Sequence, residues 1–163
     1  KQVGAAFENT RKEILCKSRD LVQLKQEILR MREKMLDVHP NPTTLFDIKH
    51  DRGSIIDVEF IVQYLVLGYA HQYPQLTGNI GNIALLKLAG ELGLVSSEAA
   101  AKVRTVYREY RRLQHRLRLG GEPELTSANA SRDKSQKFAR IAADHLSTDR
   151  MAVLQLWEEV FRL

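Results

Sequence analysis

Residues 46–71 read FDIKHDRGSIIDVEFIVQYLVLGYAH, and the fold is decided by how this stretch is read. A charged opening, Asp47-Ile48-Lys49-His50-Asp51-Arg52, turns at Gly53 and enters the longest strongly apolar segment of the chain. Asp57, Glu59 and Gln63 interrupt that segment. Carboxylates are costly where their neighbours favour burial, so these need a partner or a task. Ser54-Ile55-Ile56-Asp57 has the spacing of a capping box, with Ser54 at the N-cap and Asp57 reaching back. A helix starting there puts Glu59 and Gln63 one turn apart, as a polar strip on an otherwise buried helix.

The same residues admit a sharper chemistry. A Gly-Ser pair followed by two carboxylates is the donor set with which nucleotidyl-transferring enzymes hold divalent metal on a nucleotide. Both carboxylates must then share one side, as positions i and i+2 do in a strand. In a helix they lie roughly 200° apart. The surroundings here read as helix, and Gly53-Ser54 stands too close to Asp57 for a turn and helix between them. No metal site is expected. Lys49, His50 and Arg52 form a basic entry segment at a helix N-terminus, a place that attracts a phosphate or a partner's carboxylate.

Outward from this stretch the periodicity is helical. On the N-terminal side, Val3, Phe7, Ile14 and Leu15 mark a helix over 2–16. Ser18 or Asp20 can cap a second, in which Leu21, Leu24, Ile28, Met31 and Met35 make the buried stripe. Its opposite face carries Lys25, Glu27, Arg30, Arg32, Glu33 and Lys34, of mixed sign and so not suited to a membrane surface. His39-Pro40-Asn41-Pro42 stops it.

On the C-terminal side, 80–93 forms a helix closed by Gly93, and Ser96-Ser97-Glu98 opens a long one running to Gly120-Gly121. Two more are expected over about 132–146 and 149–162, the last capped by Thr148 or Asp149. No segment alternates with period two, so no sheet is expected. The class is all-α, a bundle of about six helices.

At 163 residues, 44% hydrophobic and 28% charged, the chain suits one globular domain, 1–163. No apolar run is long enough to span a membrane. The single cysteine, Cys16, forms no internal disulfide and fits a reducing compartment. Five histidines lack zinc-ligand spacing. The formal charge of +5 permits an acidic partner. Arg104, Arg108, Arg111, Arg112, Arg116 and Arg118 supply a basic helix surface, without a nucleic-acid recognition motif or stacking aromatics beside it, and it reads as a solvated or interdomain face. The chain opens on Lys1 rather than Met and is expected to be part of something longer.

Residues 46–71 resemble the glutamine synthetase adenylyltransferase family, bifunctional enzymes that also remove the adenylyl group. Asp47, Lys49, Gly53, Asp57, Glu59, Phe60 and Gln63 match the family pattern. Ser54 stands where the family usually has a second Gly, and a Ser N-cap is an acceptable replacement. Met31-Arg32-Glu33-Lys34-Met35, preceded by Arg19-Asp20, also resembles the approach to that pattern, and similarity extends to the late Trp157.

The resemblance implies an enzyme that transfers AMP from ATP, with magnesium, to a tyrosine of glutamine synthetase. Control by the signalling protein PII and glutamine, and a cytoplasmic location, come with it. In the family the catalytic carboxylates belong to a nucleotidyltransferase domain that precedes the helical region. This chain is therefore expected to be the helical C-terminal part, inactive alone and without its own ATP or magnesium. Its partners would be that upstream domain, glutamine synthetase and PII, with no nucleic acid and no membrane. Lys49, Asp51, Arg52, Gly53, Asp57, Glu59 and Gln63 would form an interdomain or substrate-side motif. The alternative is a stand-alone basic helical adaptor that binds an acidic protein or nucleic acid.

Overall fold

The computed structural model describes residues 2–119, 140–141 and 146–162. Among them are six α-helices: α1 (Gln2–Leu15), α2 (Leu21–Val38), α3 (Ile55–Tyr69), α4 (Gly81–Glu91), α5 (Ser97–Arg118) and α6 (Ser147–Phe161). A 3-10 turn at Pro74–Thr77 joins α3 to α4. The all-α expectation holds.

α3 is apolar on nearly all sides, and a helix without a polar face has to be surrounded. It packs against α2, α4, α5 and α6. Val58 and Ile61 are wholly buried, meeting a core that includes Val103 and Tyr110 of α5 and Val153 and Leu156 of α6. The helix on which the unusual carboxylates sit is thus the axis around which α2, α4, α5 and α6 pack.

The starts of α2 and α5 follow their sequence signals. The Asp20 carboxylate accepts the N–H of Val22 at 2.8 Å and of Gln23 at 2.9 Å, two donors that the first turn cannot satisfy by itself. The Ser96 hydroxyl accepts from Ala99 N–H at the head of α5. After α4 the chain reverses at Gly93 with φ 70°, a left-handed conformation that favours glycine.

Three expectations need correcting. α6 begins at Ser147, earlier than expected, with Leu146 at the N-cap and no side-chain cap from Thr148 or Asp149. Most of the helix expected over 132–146 lies outside the described residues, but Arg140–Ile141 form a short strand, β2. It pairs antiparallel with β1 (Phe46–Asp47) in the register Phe46 to Ile141 and Asp47 to Arg140. A two-residue ladder is too short to show alternation. In α2, Leu24 and Ile28 are buried as expected, but Met31 is 56% exposed and Arg32 is wholly buried. The inward stripe advances by fours and lands on the arginine.

Candidate functional site

The segment between β1 and α3 folds on its own side chains. One oxygen of Asp47 accepts the N–H of Lys49 at 2.8 Å and of His50 at 3.0 Å, an Asx turn. The Asp51 carboxylate returns to accept Asp47 N–H at 2.9 Å and the Asn41 amide at 2.8 Å. His50 Nδ1 lies 3.0 Å from the second Asp47 oxygen, and its ring stacks on His39 at 4.4 Å. Asp47 and Asp51 are therefore the frame of the turn.

Gly53 closes the turn with φ 82°. A Cβ there would sit 2.7 Å from Cγ of Arg150 and 3.0 Å from its carbonyl oxygen, so α6 presses directly on this backbone. Arg150 fastens the contact by donating from Nε to the Arg52 carbonyl at 2.9 Å, and its guanidinium lies 5.1 Å from the centroid of Phe46.

Beneath the turn is a buried ion pair. Arg32 Nε donates to Asp57 at 2.5 Å, and both side chains are fully shielded from solvent. The other Asp57 oxygen accepts Gly53 N–H at 2.5 Å. One terminal amino group of Arg32 donates to the carbonyls of His50, at 2.6 Å, and Asp51, at 2.9 Å. The other, Nη1, is buried with no acceptor among the described residues. Burial pushes the Asp57 carboxyl above the ordinary aspartate value, outweighing the opposing pull of Arg32 and of Gly53 N–H.

The capping-box expectation is corrected in its details. Ser54 occupies the N-cap position, but its hydroxyl donates to the Lys49 carbonyl at 2.7 Å instead of capping α3. Asp57 does reach back, to Gly53 N–H rather than that of Ser54. A buried guanidinium recruits the carboxylate, and the turn hangs from both.

The remaining motif residues lie nearer the surface. Lys49, Asp51, Arg52 and Glu59 are partly exposed and Gln63 is exposed. Glu59 accepts the Tyr107 hydroxyl at 3.1 Å, and Asn82 donates to that same phenol oxygen at 3.0 Å. Burial raises the Tyr107 phenol above its ordinary value. Arg52 pairs with the exposed Glu33. Beside β1, a cleft of about 320 Å³ is lined by residues including Asn41, Thr43, Asp51, Arg52 and Arg150.

Structure thus draws Lys49, Asp51, Arg52, Gly53 and Asp57 into one turn, while Glu59 and Gln63 lie farther along α3. Asp57 and Glu59 diverge: the first meets Arg32 and the second meets Tyr107. Among the described residues no cluster of His, Cys, Asp and Glu could hold a metal ion. Sequence reasoning missed Arg32, Arg150, Tyr107 and Asn82 as partners of the motif. Only Arg32 carried a signal, the four-residue steps from Leu24 through Ile28.

Comparison with known proteins adds an independent line. A family model described as GlnD PII-uridylyltransferase matches residues 22–162. The chain is 69% identical over 99% of its length to the bifunctional glutamine synthetase adenylyltransferase/adenylyl-removing enzyme of Nitrosomonas europaea. It is 48% identical over 98% of its length to the protein of the same name from Aromatoleum aromaticum. In these two matches it spans 17% and 15% of the relative's length.

Proposed function

Because the chain belongs to the GlnD PII-uridylyltransferase family, we propose that it is the helical accessory domain of a bifunctional glutamine synthetase adenylyltransferase. The observation that carries this reading is the near-complete coverage of the chain by enzymes of that name. In this reading the whole enzyme moves AMP from ATP, with magnesium, onto a tyrosine of glutamine synthetase in the cytoplasm, and PII adjusts the balance. The nucleotide chemistry belongs to a catalytic domain elsewhere in the polypeptide, which packs on the present domain.

The motif has two layers in this reading. Asp57 and Gly53 face inward and fix the turn. Lys49, Asp51, Arg52, Glu59 and Gln63 keep accessible polar groups, which meet the catalytic domain and help close its cleft. A buried framework is suited to this task, because groups across a domain boundary must be held in register.

The first test is a calorimetric titration of the 163-residue chain with ATP and magnesium, run beside an adenylylation assay on glutamine synthetase. No heat and no adenylylation are expected. Magnesium-dependent ATP binding by this chain would overturn the accessory reading. Within the longer enzyme, Lys49→Ala with Gln63→Ala should lower adenylylation while the melting temperature stays put. Unchanged adenylylation in that variant counts against an interdomain role for the accessible layer.

A further inference from the structure

α5 carries seven basic residues, Lys102 and six arginines, against two acidic ones, Glu98 and Glu109, which leaves it at +5. That equals the formal charge of the whole chain, so the charges outside α5 sum to zero. Arg104, Arg108, Arg111, His115 and Arg118 follow one another in steps of four, three, four and three residues. Such steps keep side chains on one face of a helix, here over about 21 Å.

The row is open. Arg108, Arg111, His115 and Arg118 are exposed, and Arg104 is half-buried with its Nε lacking an acceptor among the described residues. The two acids of α5 are engaged by other cations, Glu98 by Lys102 at 2.8 Å and Glu109 by Arg112 at 3.1 Å. Arg111 donates to the Gln114 amide oxygen at 3.2 Å, a contact that neutralises no charge.

We propose that this row docks a protein surface bearing carboxylates at matching helical spacing, such as the acidic face of an amphipathic helix. Guanidinium forks pair bidentately with carboxylates, and rungs one helical turn apart fit a second helix laid alongside. A protein is favoured over nucleic acid by what flanks the row. Tyr107 and Tyr110 of α5 are buried and offer no platform on which single-stranded bases could stack, while Leu119 at the end of the row is 74% exposed and adds an apolar contact. The row lies on α5 and the turn at Gly53 between β1 and α3, and the docking proposal does not rest on the accessory-domain reading.

The test uses two synthetic helical peptides of identical composition, one with glutamates at alternating three- and four-residue steps, the other with them scrambled. Binding to the 163-residue chain is measured by fluorescence anisotropy, with a short duplex DNA as a third ligand. The aligned peptide should bind about tenfold more tightly than the scrambled one, a difference of about 1.4 kcal/mol. Arg108→Glu with Arg111→Glu should abolish that preference. Lys12→Glu with Lys34→Glu, the same charge change elsewhere, should preserve it. Should the charge reversal disturb the helix content, Arg108→Gln with Arg111→Gln takes its place. Equal affinity for both peptides, a preference surviving loss of the arginines, or tighter binding of the duplex would each overturn the proposal.

Discussion

Asp57 and Arg32 form a direct ion pair with both side chains shielded from solvent. Removing the carboxylate strands a guanidinium that is already short of one acceptor. Breaking such a pair costs about 3–5 kcal/mol, far more than losing a surface bridge. Asp57→Ala should therefore lower the unfolding free energy of this chain by about that amount in urea denaturation. Arg32→Met combined with Asp57→Ala should recover part of the loss, because neither charge is then left behind. A single-variant loss under about 1 kcal/mol would show that solvent reaches the pair after all. The sequence alone placed Asp57 in an interdomain or substrate-side motif, whereas the structure pairs its side chain with Arg32 inside the fold. Asp57 was conspicuous because it sits in an apolar run; Arg32 was not, because its neighbours Arg30, Glu33 and Lys34 made it look solvated.

The helices differ in how firmly tertiary contacts hold them. α3 is enclosed by four neighbours, whereas α1 leaves Phe7 65% and Ile14 50% exposed. Two arginines tether α1. Arg11 donates to the Thr77 carbonyl at 2.6 Å, and Arg19 donates both to Ile14 and Leu15 at the end of α1 and to Leu67 of α3. A helix of this length is marginal when its apolar face is not buried. Amides of α1 should therefore exchange with solvent faster than those of α3 by at least about tenfold, an opening cheaper by about 1.4 kcal/mol. Arg19→Ala should speed exchange in α1 and leave the middle of α3 unchanged. Equal protection of the two helices would mean that α1 opens only with the whole domain. The caps at Asp20 and Ser96 were legible because their signals are local. The start of α6 was not, since Leu146 at the N-cap offers no side-chain acceptor and packing sets the boundary.

At the scale of the molecule, the helical class was written in the periodicity, and the central place of α3 followed from its lack of a polar face. The partners of its polar groups could not be read so directly. Glu59 finds a phenol on α5, that phenol accepts from an amide on α4, and Gly53 meets α6, across separations that no local pattern encodes. Tyrosines give this assembly a measurable signature. Burial raises the phenols of Tyr64, Tyr107 and Tyr110 above the ordinary tyrosine value, Tyr107 doing so beside the Glu59 carboxylate. Once unfolded, these phenols ionise near pH 10, so in strong alkali the unfolded chain binds fewer protons than the folded one. Their contribution to stability is thus complete below about pH 10 and lost as pH climbs toward the raised folded values. An alkaline titration should show the tyrosinate absorbance of these three appearing together with the loss of helical circular dichroism. Ionisation of all five tyrosines in the ordinary range, with the helices intact, would mean that water already reaches the centre where α3, α5 and α6 meet.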